Sequence, residues 1–169
     1  MVHIDFPTGR NTAIIALATV ASITASLAGY YAADAEKYYH LSNAALTTAV
    51  RNEHQADLQA RHDEELIIQA TSEYNENKTE IGDFVISQLS QEAKDNMAFD
   101  RQSNTFSLTR RYYDIIYSDY LNSTRAEHDY LDRAEKSDEY SRQSIIATAL
   151  LTAAVVILSE LTRKKKETK

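Results

Sequence analysis

The densest group of side chains able to do chemistry is Glu53, His54, Asp57, His62, Asp63, Glu64 and Glu65. His54 and His62 lie eight residues apart, about two helical turns and roughly one face, a spacing that imidazole ligands of a transition metal can use. Di-iron helices need Glu-x-x-His pairs, and this chain has none. The group therefore reads as a solvated helix face. Gly-rich phosphate loops, nucleophile elbows and HExxH pairs are also missing from the sequence. Cysteine is absent, which removes disulfides, thiolate nucleophiles and Cys-built metal sites. The expectation is a protein with no catalytic residue, no cofactor and no metal site, and not an enzyme.

Elements able to position any side chain here must be helices. The 169 residues include three Gly and one Pro, at Pro7, far below average usage of about 7% and 5%. Positions 30–81 and 83–169 contain neither residue, and a chain without turn punctuation defaults to helix. Residues 34–76 form one helix-compatible arm and 103–142 another. Between them a break at 74–82 precedes a short amphipathic helix over 81–99, with Ile81, Val85, Leu89, Ala93 and Met97 at helical spacing. A second break at 100–105 offers Ser103 or Thr105 as the cap of the last helix. Ala35, Tyr38, Ser42, Ala45 and Ala49 keep a three-four spacing. Tyr113, Tyr117, Tyr120 and Thr124 follow it in part. Polar residues from Arg51 to Glu65 interrupt the seam. Arms of nearly equal length that start and end at one surface predict an antiparallel, coiled-coil-like helical hairpin with a short third helix.

Two stretches carry no charge, 11–33 and 143–159. About 20 helical residues cross a hydrocarbon core of ~30 Å. The fold class expected is all-α, with transmembrane helices at 11–33 and 143–161 and an acidic domain at 34–142. The segments 1–10 and 162–169 are the ends. The first span is retained as an anchor in this reading, although Ala33-Asp34-Ala35 has the small-residue spacing of a signal cleavage site. Arg163-Lys164-Lys165-Lys166 after the second span is a stop-transfer pattern. By the positive-inside rule both termini are cytoplasmic and 34–142 lies outside, the membrane being the cell membrane. Tyr30, Tyr31, Tyr38, Tyr39 and Tyr140 flank the spans, where tyrosine suits a membrane interface as well as packing.

Residues 34–142 hold 22 acidic and 12 basic side chains, a net charge of -10, which argues against nucleic acid as a partner. Ala21, Ala25 and Gly29, and likewise Ala149 and Ala153, are spaced by four, a pattern that lets helices approach closely. Asn77-Lys-Thr79 and Asn122-Ser-Thr124 are sequons, usable for glycosylation only in a host that glycosylates. Tyr38-Tyr39 within an Ala-rich helix, and Asp132-Arg-Ala-Glu-Lys running into Ile145-Ile-Ala with a terminal Arg163-Lys-Lys, give a layout that resembles a family of small helical membrane proteins with apolar helices near both ends. No activity is attached to that family, so the resemblance implies topology alone. The expected role is an accessory or scaffold subunit of a larger membrane complex. Its partners are then lipid, other membrane subunits or further copies of itself. The alternative is a membrane-anchored receptor or sensor whose outer domain binds a ligand.

Overall fold

The computed structural model describes residues 9–167. Residues 1–8 of the N-terminal segment and 168–169 of the basic tail lie outside the described residues, as do the side chains of Arg10 and 164–167. The described residues form five helices and one two-stranded sheet: α1 (Gly9–Asn75), α2 (Thr79–Ser87), α3 (Gln91–Asn96), β1 (Met97–Asp100), β2 (Thr105–Leu108), α4 (Arg110–Ile116) and α5 (Ser118–Glu167). The protein is all-α apart from that small sheet. It divides into a terminal unit, 9–41 with 130–167, and a middle unit, Ser42–Asp129.

Nothing in the sequence of α1 stops a helix before Asn77, which takes a left-handed φ of 59°. There Asn77 donates its N–H to the Tyr74 carbonyl (3.1 Å), and Lys78 donates to Glu73 (2.9 Å). These are the two bonds of a Schellman ending, with Asn in the position glycine usually takes. Close approach explains Gly82 in the next helix: a Cβ there would collide with the ring of Tyr74. The same tyrosine hydroxyl donates to Asp83, and this bond, with some burial, raises the Tyr74 pKa.

The expected single helix over 81–99 is instead α2, α3 and the start of β1. Ser90 makes the division. It is the N-cap of α3, its Oγ accepting from the Ala93 N–H at 3.1 Å. Val85, Leu89 and Ala93 are buried as the helical spacing predicts, whereas Ile81 is exposed. β1 pairs antiparallel with β2, Phe99 opposite Phe106. In the turn, the Asp100 carboxylate accepts from Ser103 Oγ (2.7 Å) and the Gln102 N–H (2.9 Å), and both bonds hold its pKa below the ordinary value. Ser103 and Thr105 therefore cap no helix. Thr109 precedes the next helix, which begins at Arg110. The Phe106 N–H donates to Thr71 Oγ1 on α1 at 3.1 Å, so the hairpin is tied to the long helix. These ties outweigh the helical default of a region poor in Gly and Pro.

The middle-unit core is Ala60, Ile67, Leu89, Ala93 and Tyr112, with Leu66, Ile86, Met97, Phe106 and Leu108 packed partly against it. It gathers residues of α1, the α2–α3 segment, the sheet and α4. The seam expected to fade between Arg51 and Glu65 continues. Ser42, Ala49, Ala56, Asp63 and Ala70 are all buried on α1 at seven-residue steps. On α5 the seam takes half-buried Ser123 and Glu127, while Thr124 is exposed. The terminal unit keeps the same step with buried Ala21, Ala28 and Ala35.

Candidate functional site

In the middle unit the most constrained polar group is Asp63, whose residue is 0% exposed. Its Oδ1 accepts the Ser90 N–H at 2.9 Å. Its Oδ2 accepts Ser90 Oγ at 2.6 Å and the Tyr112 hydroxyl at 2.7 Å. One carboxylate thus joins α1 to the cap of α3 and to α4, and no basic side chain takes part in these bonds. Tyr112 is 0% exposed. Burial first, and the bond to Asp63 second, raise its pKa strongly. Two further tyrosines repeat the contact nearer the surface. Tyr113 donates to Glu64 at 2.6 Å, and Tyr117 donates to Asp57. In each the hydrogen bond to the carboxylate, then burial, pushes the phenol up to about 12.

A phenol held protonated beside a carboxylate is a poor base and a poor nucleophile at neutral pH. What this arrangement does is fasten elements together. His54 and His62 stand exposed on α1. Among the described residues, no group of three or more His, Asp and Glu side chains is placed to hold a metal ion. The feature missed in the sequence is the role of Asp63. It stands in the sequence among exposed acids, yet its place seven residues from both Ala56 and Ala70 marks it as a seam residue.

In the terminal unit α1 and α5 meet through small and hydroxylated side chains. Ser137 Oγ donates to Asp34 Oδ2 (2.9 Å), Ser141 Oγ to the Ala28 carbonyl (3.1 Å), and Thr148 Oγ1 to Thr24 Oγ1 (2.7 Å). Partners descend along α1 as they ascend along α5, so these segments run antiparallel. Other hydroxyls bond back along their own helix: Thr19 to Ile15 (2.9 Å), Ser22 to Ala18 (3.0 Å), Ser26 to Ser22 (3.0 Å) and Thr152 to Thr148 (2.8 Å).

Of the residues with four-residue spacing, Ala21 is buried in this seam, whereas Ala25, Gly29, Ala149 and Ala153 are exposed. Ala18, Ser22, Ala25, Gly29 and Ala32 are all exposed and continue a three-four spacing along α1 beside the buried seam. Part of this second stripe opens into a groove lined by Ala18, Ala21, Ser22 and Ala25 of α1 and Thr148, Thr152 and Val155 of α5. Of the two sequons, Asn77 lies in the turn after α1 and Asn122 within α5, both exposed.

Both α1 and α5 contain stretches long and apolar enough to cross a membrane, and those stretches are almost wholly unburied within the protein. Compared with protein-family models, with curated proteins and with solved structures, the chain matches none.

Proposed function

We propose that this protein is a non-enzymatic accessory or scaffold subunit of a larger membrane complex. In this reading the apolar stretches of α1 and α5 cross the cell membrane as an antiparallel helical hairpin. Both termini are cytoplasmic, and the middle unit stands outside as a helical domain. The hydroxyls of the spans suit hydrocarbon, because those of Thr19, Ser22, Thr24, Ser26, Thr148 and Thr152 all have partners inside the protein. An unpartnered hydroxyl would cost several kcal/mol in lipid.

The observation that carries the accessory role is the part of the second stripe that lies within the apolar stretch of α1: Ala18, Ser22, Ala25 and Gly29. Large aliphatic side chains each gain about 0.3–0.6 kcal/mol on insertion, and this face forgoes that gain. Small residues repay it where a third helix packs closely, by van der Waals contact. The seam with α5 already has its own small residues, so the stripe is surplus to the fold of one chain.

Ala25→Leu and Gly29→Leu test this reading. A Cβ at Gly29 meets no atom within 4 Å, so the helix has open space for a side chain there. Both variants should still insert but lose, on the order of tenfold, their association with whatever the wild type holds in mild detergent. A comparable enlargement at exposed Val156 (Val156→Phe) should have little effect. Equal tolerance at all three positions, or a wild type that extracts as a lone monomer, ends the accessory reading.

A further inference from the structure

The tyrosines of the terminal unit do more than pack. Tyr31 and Tyr140 meet with ring centroids 5.4 Å apart, and Tyr30 meets Tyr31 edge-on at the same separation. Packing alone would bury the three rings, yet Tyr30 is 65% and Tyr140 51% exposed. All three sit at the outer edge of the uncharged stretches, at one level on the paired helices. Arg142 lies nearer the apolar stretch than Tyr140, but its guanidinium turns back, away from that stretch, to Asp138 at 2.8 Å. A basic side chain leaving hydrocarbon for the headgroup region adopts this direction.

The opposite edge is also in register. Ile14 of α1 lines one small groove together with Ser159, Thr162 and Arg163 of α5. From Ile14 to Tyr31 a helix rises about 26 Å, and from Tyr140 to Ser159 about 29 Å. Both lengths approach the ~30 Å of a hydrocarbon core. The paired helices thus present apolar lengths of similar size between the two edges.

We infer that Tyr30, Tyr31 and Tyr140 form a collar that binds the headgroup layer of a lipid bilayer and sets the depth at which the helix pair emerges. Tyrosine suits that layer because its ring is apolar and its hydroxyl stays hydrated. The collar rests on the membrane reading above and sharpens it. The first span ends at the tyrosines rather than at Ala33, so Ala32 and Ala33 already lie beyond the hydrocarbon. Asp34, bonded to Ser137, then lies on the headgroup side as well.

The chain contains no Trp, so single-Trp variants of the full protein report depth without background. Tyr30→Trp, Tyr140→Trp, Val20→Trp and Phe84→Trp are reconstituted separately in phosphatidylcholine vesicles carrying quenchers either near the headgroup or deep in the acyl chains. Val20 is exposed near the middle of the first apolar stretch, and Phe84 is exposed on the middle unit. The Tyr30→Trp and Tyr140→Trp variants should be quenched about twofold more by the shallow label than by the deep one, and to equal depth. Val20→Trp should show the reverse preference, and Phe84→Trp should escape both labels. Val20→Trp quenched deep, with Tyr30→Trp or Tyr140→Trp deep or unquenched, overturns the collar and leaves the membrane reading standing. No quenching of Val20→Trp overturns the membrane reading, and the collar with it.

Discussion

The buried positions of α1 are Ala21, Ala28 and Ala35 in the terminal unit, and Ser42, Ala49, Ala56, Asp63 and Ala70 in the middle unit. The spacing is the same in both, and what fills it differs. The terminal unit bridges its helices with hydroxyls that reach another hydroxyl, a carbonyl or the edge residue Asp34. The middle unit places a full carboxylate in the seam and surrounds it with donors from two other elements. Small residues on one helix face allow backbones to approach in either setting, but only the middle unit has extra elements, α3 and α4, to satisfy a buried charge. An acid at Ala28 would have no such partners, and an unpaired charge in an apolar surround costs several kcal/mol. The contrast teaches that a seven-residue step fixes where helices touch, while the neighbouring elements decide how polar the contact can be.

The sharpest way to break this comparison is Asp63→Ala. It leaves the Ser90 N–H, the Ser90 hydroxyl and the buried Tyr112 hydroxyl without their acceptor. The buried Tyr112 hydroxyl costs about 1–3 kcal/mol when unsatisfied and the two half-buried Ser90 donors about 1 kcal/mol each, so the loss should total about 3–5 kcal/mol. Hydrogen exchange should show it locally, in α3, β1 and α4, with the apolar stretches of the terminal unit unaffected. Asp57→Ala, which removes one half-buried acceptor, should cost about 1 kcal/mol. Equal, small losses would make Asp63 one more surface acid.

Ala28→Leu comes next and acts on the other unit. A larger side chain in the tight seam costs about 1–3 kcal/mol. The chain has no cysteine, so a Thr24→Cys, Thr148→Cys pair can report on the contact. Oxidation should join these two positions, whose hydroxyls are 2.7 Å apart, and Ala28→Leu should cut the yield. Ala25→Leu, on the exposed stripe, should leave the yield unchanged. If both act alike, the buried seam and the exposed stripe are one surface.

Alkaline pH should separate the units more gently. Tyr113 and Tyr117 move from the ordinary 10.0 up to about 12 because their hydroxyls donate to Glu64 and Asp57. Tyr112 also moves upward, chiefly by burial. A group whose pKa rises on folding contributes stability that is fully present below its unfolded pKa. That contribution is lost as pH climbs through the folded value. The middle unit should therefore hold its full tyrosine contribution below pH 10 and lose it between about 10 and 12. Ultraviolet absorbance of the phenolate should show late phenol ionisation, accompanied by melting of the middle unit. Tyr113→Phe and Tyr117→Phe should each remove one late step. Ionisation of all eleven tyrosines in one early step would refute the three pairs.

Much of this was legible in the sequence. Absent turn residues gave the helices, and two uncharged stretches gave the segments fit for a membrane. Helical spacing gave Val85, Leu89 and Ala93 as core. The sheet was not legible, because the ties that hold β1 and β2 come from Thr71 and Asn75, far away in the chain. The seam looks interrupted in the sequence because of residue type. Asn52 and Asp63 look like surface residues, but Asn52 donates to Ser123 at 3.1 Å and Asp63 accepts from Ser90 and Tyr112. Reading positions at seven-residue steps, rather than apolar residues at those steps, would have found them. In the Ala-rich stripe sequence alone could not tell Ala21 from Ala25, since burial of one and exposure of the other depend on which face α5 takes.

The smallest effect expected is at the Thr24–Thr148 bond, and its size follows from counting protons. The Thr148 hydroxyl is 2.7 Å from Thr24 Oγ1 and 2.8 Å from the Ser144 carbonyl. One O–H carries one proton, so the two acceptors share it. Thr24 directs its own proton to the Ala21 carbonyl at 3.0 Å. When Thr24 becomes Val, Thr148 keeps the Ser144 acceptor, and no donor is orphaned. When Thr148 becomes Val, Thr24 loses an acceptor role but keeps its donor bond. Neither change leaves the penalty that Asp63→Ala leaves. Val also preserves the shape of Thr, so packing in the seam is retained. A double-mutant cycle on the two positions should give a coupling of about 0.6 kcal/mol, the usual size for a hydrogen bond between membrane helices. Reversible unfolding in detergent, or the oxidation yield of a cysteine pair placed one turn away, can read it. A coupling above about 2 kcal/mol would exceed what such bonds give. The terminal unit would then be fastened by polar bonds as strongly as the middle one, and the contrast between the two seams would fall.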